Sequence, residues 1–67
     1  MPTSAAELSS LASALEEITR RVTAGAEAAH EAKDEEAATE LFAVERALTS
    51  AQRRLSRLAV AISRRPG

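Results

Sequence analysis

Ala29-His30-Glu31-Ala32-Lys33-Asp34-Glu35-Glu36-Ala37-Ala38-Thr39-Glu40-Leu41 joins two apolar repeats that do not share a phase. Before it, Leu8, Leu11, Leu15, Ile18, Val22, Gly25 and Ala29 follow one another at alternating spacings of three and four, the repeat of a helical seam. After it, Leu41, Val44, Leu48, Ala51, Leu55, Leu58 and Ile62 do the same. Carrying the first repeat onward by heptad steps demands apolar residues near 32, 36, 39 and 43, and Glu36 and Thr39 do not supply them. Within this stretch the chain either reverses or stutters.

Local chemistry favours reversal. Asp34 suits a helix N-cap, and Glu35 and Glu36 would then occupy a first turn, where the helix dipole favours acids. His30 and Lys33 fall near the end of the preceding helix, where cations are favoured. At the start of the chain, Ser4 and Glu7 have the spacing of a capping box, and Pro66-Gly67 cannot continue a helix. The fold expected is all-α: an antiparallel two-helix hairpin with helix 4–31, turn 32–34 and helix 35–63. It forms a single domain over 1–67, with short disordered ends at 1–3 and 64–67. Folding about position 35 sets Leu8 opposite Ile62, Leu15 opposite Leu55, Val22 opposite Leu48 and Ala29 opposite Leu41, and neither seam overhangs. Gly25 is expected opposite Val44 and near Phe42, as a point of close packing. The rival is one continuous helix over 4–63 that dimerises as a coiled coil. It carries Ala26, Ala29, Lys33, Ala37 and Leu41 through a stutter, and no Gly or Pro between Ala26 and Arg65 forbids it.

A hairpin of this size is short of core. Ordering 67 residues costs about 100 kcal/mol at roughly 1.5 kcal/mol each, and small domains offset this with disulfides, a metal or oligomerisation. There is no cysteine, so disulfides and thiolate metal sites are excluded. Each helix also carries more apolar surface than one seam uses. Ala14, Ala28, Ala47 and Ala61 lie to one side, Ala5, Ala12, Ala26 and Ala59 to the other, with Phe42 and Val60 further out. Two hairpins pairing into a four-helix bundle would cover it. Self-association is therefore expected, as a homodimer, through Leu8, Leu11, Leu15, Ile18, Val22, Leu41, Val44, Leu48, Leu55, Leu58 and Ile62. A larger protein could serve as partner in place of, or beside, a second copy.

The net charge of −1 conceals an asymmetry. All ten acids lie within residues 1–45, whereas residues 46–67 hold six arginines and no acid. In a hairpin the acids collect at the turn and the arginines at the open end, so an antiparallel pair of hairpins would lay acid against base. Arg53, Arg54, Arg57, Arg64 and Arg65 form a basic stripe, and a second reading gives it anion binding, with nucleic acid as partner. Against that stand the sequence pI of about 5.8 and the single aromatic, Phe42, which leaves no platform for stacked bases. A solvated stripe paired with Glu7, Glu16 and Glu17 is the plainer reading.

Glu27 and His30 have the Glu-x-x-His spacing that aims a carboxylate and an imidazole at one metal in helix-bundle di-iron proteins. A metal-dependent assembly through this pair is a third reading. The pair lies on the outer face of the first helix and lacks the further inward carboxylates such a site requires, so no metal, cofactor or catalytic residue is assigned. Glu16-Glu17 and Asp34-Glu35-Glu36 do not converge either, since neighbours on a helix point about 100° apart. The chain is expected not to be an enzyme. Its longest apolar run, Leu58 to Ile62, is too short to cross a bilayer, and Met1-Pro2-Thr3-Ser4 carries no signal pattern, so a cytoplasmic protein is expected. Abundant alanine and arginine fit a bacterial genome of high GC content. The function expected is a non-catalytic interaction module: an adaptor, regulator or assembly subunit.

Overall fold

In the computed structural model residues 3–65 are described, and they form two helices, α1 (Ala5–Glu31) and α2 (Glu35–Ser63). The helices pack along their length as a hairpin, which disposes of the continuous helix. Both start signals work as their chemistry demands. The Ser4 hydroxyl accepts from the Glu7 N–H at 3.0 Å, and the Asp34 carboxylate accepts from the Ala37 N–H at 3.2 Å. Met1, Pro2, Pro66 and Gly67 lie outside the described residues, and with them most of the expected disordered ends. Within the described residues α2 has already stopped at Ser63, capped by Arg64.

The reversal is made by a Schellman motif. The Asp34 N–H donates to the Ala29 carbonyl at 2.9 Å, and the Lys33 N–H donates to the His30 carbonyl at 3.0 Å. Such a motif needs one residue in the left-handed region, normally glycine. Here Lys33 takes that place with φ 64°, the only non-glycine at positive φ among the described residues. The His30 Nδ1 lies 3.1 Å from the Glu35 carboxylate, linking the two sides of the turn.

The packing differs from the expected seam in an instructive way. Leu8, Leu15, Val22 and Ala29 on α1, and Leu41, Leu48, Leu55 and Ile62 on α2, are all buried or half-buried between the helices. The second half of the contact, however, comes from the alanine side. Ala5, Ala12, Thr19 and Ala26 of α1 meet Ala38, Glu45, Gln52 and Ala59 of α2, and these positions include four of the five buried residues. Leu11, Ile18, Val44 and Leu58, expected in the seam, are instead turned outward. The physical reason is size: small side chains let two helices approach closely, so the contact line settles where alanine is frequent. Gly25 correspondingly lies beside Leu41 rather than opposite Val44. A Cβ added there would meet Leu41 Cδ1 at 3.8 Å, an ordinary contact, so no close packing within the hairpin requires glycine.

Polar groups on the alanine side are satisfied. Thr23 donates to the Glu45 carboxylate across the helices, Thr19 donates to the Leu15 carbonyl at 2.7 Å, and no buried side-chain polar atom among the described residues lacks a partner. The Thr23–Glu45 bond ties one level of α1 to one level of α2, which fixes the register that regular heptads leave open.

The two helices also repeat one another. At an offset of 33 residues Glu7, Leu8, Ala14, Leu15, Arg20, Arg21, Ala26 and Ala28 recur as Glu40, Leu41, Ala47, Leu48, Arg53, Arg54, Ala59 and Ala61. Matched residues hold matched places: Leu15 and Leu48 are half-buried, and Ala26 and Ala59 are buried. The hairpin therefore has an approximate two-fold axis normal to its broad faces, passing near Ile18 and its counterpart Ala51 at mid-length.

Candidate functional site

Because both helices use the same positions for mutual contact, the leftover apolar positions come out on the same side. Ile18, Val22, Gly25 and Leu41 line one shallow depression spanning the two helices, which places the outward set beside the leucine set. Leu11 (48% exposed), Ile18 (44%), Val44 (43%) and Leu58 (43%) thus widen the half-buried row of Leu15, Val22, Leu41, Leu48, Leu55 and Ile62 into one continuous apolar face. The opposite side is a groove of small and polar groups, among them Ser9, Ser13, Gln52, Ser56 and Ser63. Val60, the fifth exposed large apolar residue, lines this second side.

The amount of uncovered surface is large for the mass. A folded chain of 7.1 kDa exposes about 4,100 Å² in an ordinary compact monomer, whereas the hairpin exposes 5045 Å². Its radius of gyration is 15.4 Å, against about 11 Å for a compact chain of this length. The surplus of about 1,000 Å² is of the size that each partner contributes to a standard protein interface, about 800 Å². No large side chain among the described residues is fully buried, and four of the five buried residues are alanine. Each large aliphatic side chain gains about 1.5–3 kcal/mol when it passes fully from water to a core, and at 43–48% exposure Leu11, Ile18, Val44 and Leu58 still have nearly half of that gain outstanding.

Charged side chains are separated along the hairpin rather than confined to this face. Residues 27–43 around the turn hold six acids, Glu27, Glu31, Asp34, Glu35, Glu36 and Glu40, and one base, Lys33. Arg53, Arg54, Arg57, Arg64 and Arg65 line the last three turns of α2 and its cap, all exposed. The expected pairing of this stripe with Glu7, Glu16 and Glu17 is not formed. Glu16 and Glu17 pair instead with Arg20 on their own helix, the Glu16 contact at 3.8 Å. Among the described residues none of the five arginines has an ion-pair partner within the chain, and of the six turn acids only Glu35 has one, His30. Arg53 and Arg57 flank Gln52 and Ser56, with no aromatic side chain among them.

Glu27 and His30 are both exposed on α1, as expected, but the imidazole turns to Glu35 across the turn. No group of three or more His, Asp or Glu side chains that could hold a metal is brought together among the described residues. No helix is long and apolar enough to cross a membrane. The outward position of Leu11 and Ile18 had a signal in the sequence: the register continuing through Gly25 has a gap, whereas that of Ala5, Ala12, Thr19 and Ala26 is evenly small. In comparisons with protein-family models, curated proteins and solved structures, nothing matches this chain.

Proposed function

We propose that the protein is a non-catalytic interaction module of the cytoplasm, a helical hairpin that pairs with a second copy through its leucine face to form a four-helix bundle. In this form it would serve as an adaptor, regulator or assembly subunit. One observation carries the reading: four of the five large apolar side chains left exposed lie on a single face, beside a row of leucines that the hairpin covers only in part. Two such faces stacked at the usual bundle angle of about 20° would complete the core that one hairpin lacks. The surplus surface supports the same conclusion, since it is about what one dimer interface removes.

Sedimentation velocity over a range of concentrations tests this, with native mass spectrometry to read the stoichiometry. A dimer of the bare chain at micromolar concentration is the expected result. A helical monomer that persists into the high micromolar range would end the reading, because the leucine face would then be stable in water.

A further inference from the structure

The pairing proposed above leaves its direction open, and the approximate two-fold of the hairpin makes that direction a question of charge alone. An axis normal to the leucine face exchanges α1 with α2 and the turn with the open end, carrying Leu8, Leu15 and Val22 onto Leu41, Leu48 and Leu55. A second hairpin laid on this face therefore finds a similar leucine row whether its turn lies over the first turn or over the first open end, with Ile18 exchanged for Ala51 and Gly25 for Leu58 in the outward set. Hydrophobic contact is non-directional and scales with area, so it separates the two arrangements weakly.

The charges break this symmetry. The six acids of the turn have a single acidic counterpart at the other end, Glu7, where the last turns of α2 and its cap hold Arg57, Arg64 and Arg65. Nor are these groups ion-paired inside the hairpin: among the described residues the arginines have no ion-pair partner, and Glu27, Glu31, Asp34, Glu36 and Glu40 have none either. Stacking turn upon turn would bring twelve acids and two lysines to one end, and six arginines with two glutamates to the other. Stacking turn upon open end would set each acidic turn against Arg57, Arg64 and Arg65 of the mate, with Glu7 the one acid there. Like-charge juxtaposition at an interface costs several kcal/mol, and complementary charge mainly selects arrangement and register.

We infer that the second copy docks on the leucine face in the antiparallel sense, the acidic turn of each hairpin lying on the arginine-rich open end of the other. The inference rests on the self-association reading and adds its direction and the groups that select it.

The chain has no cysteine, so Ala32→Cys introduces one labelling site, at the exposed C-cap of α1. Nitroxide labels there, read by double electron–electron resonance, report the distance between the two turns of a dimer. The antiparallel arrangement places them about 40 Å apart, the length of one helix at 1.5 Å per residue. Turn-upon-turn stacking places them about 20 Å apart or less, within the hairpin's 17 × 14 Å cross-section. The expected result at low salt is a long-distance population exceeding the short one by roughly tenfold. Replacing Glu31, Glu35, Glu36 and Glu40 by Gln should bring the two populations close to equal while leaving the dimer mass unchanged. A dimer with a dominant short distance overturns the orientation and leaves self-association standing. A long distance that persists unchanged in the Gln variant overturns charge as the selector. A monomeric mass without dipolar coupling overturns the pairing itself.

Discussion

The two broad faces of the hairpin are cut from the same pair of helices, yet one is made of alanine, threonine and serine and the other of leucine, isoleucine and valine. The small-residue side brings the helices together. Ala12, Ala26, Ala38 and Ala59 are buried there, and Thr23 and Glu45 lock the level of one helix to the other. The large-residue side does the reverse: Leu15, Leu48 and Leu55 are half covered, and Leu11, Ile18, Val44 and Leu58 stand out in water. Close approach on one side leaves bulk on the other, since two cylinders in contact cannot bury both flanks. The apolar content of a helix and its burial are therefore separate quantities, and their difference on the leucine side is what a partner can use.

Four substitutions test the division, beginning with the one of greatest effect. Leu55→Asp puts a charge into the middle of the leucine row, at a cost of about 3 kcal/mol or more. That is comparable to the 3–5 kcal/mol that a core of this size ordinarily supplies. The helical circular dichroism signal and the assembled mass should fall together, and a variant that kept both would show that the leucine face carries no load.

Ala26→Leu attacks the other side. Ala26 is 0% exposed, and the added branches would force the helices apart at a cost of about 1–3 kcal/mol, seen as a lower denaturant midpoint. If the midpoint stayed in place, the contact line would not run along the alanines.

The smallest effects come from relocating glycine. Gly25 is helical, and a Cβ there meets Leu41 Cδ1 at an ordinary 3.8 Å, so Gly25→Ala should raise stability by about 0.5–1 kcal/mol. Lys33 holds φ 64° at the Schellman position, where Lys33→Gly should likewise gain about 0.5–1 kcal/mol. Thermal melts of the two variants read both effects. A loss of stability in Gly25→Ala would mean that another helix approaches the leucine face closely at that point, sharpening the contrast between the faces.

Much of the architecture is legible from local chemistry. The Ser4 and Asp34 caps place the starts of both helices, and the phase break between Ala29 and Leu41 places the reversal, because capping and periodicity act over a few residues. The reversal's own backbone is not legible in the same way. Lys33 is an ordinary helix former, and only the packing of α1 on α2 makes its left-handed conformation worth adopting. The site was legible in composition and misplaced in angle. Leu11, Ile18, Val44 and Leu58 stand out as apolar residues at helical spacing, but spacing alone assigns them to the same stripe as Leu15 and Leu48.

What the sequence by itself determined is the pair of helices, their ends, the row of large residues along each and the separation of acid from arginine, all of them properties of neighbours within one or two turns. Only the tertiary structure decided which flank of that row meets the other helix. The choice depends on how closely two helices can approach at once along their whole length, a sum over both helices' small side chains that no single helix contains. That choice moved four large apolar side chains from the inside of the hairpin to its surface, where most of the charges towards the two ends have no ion-pair partner among the described residues.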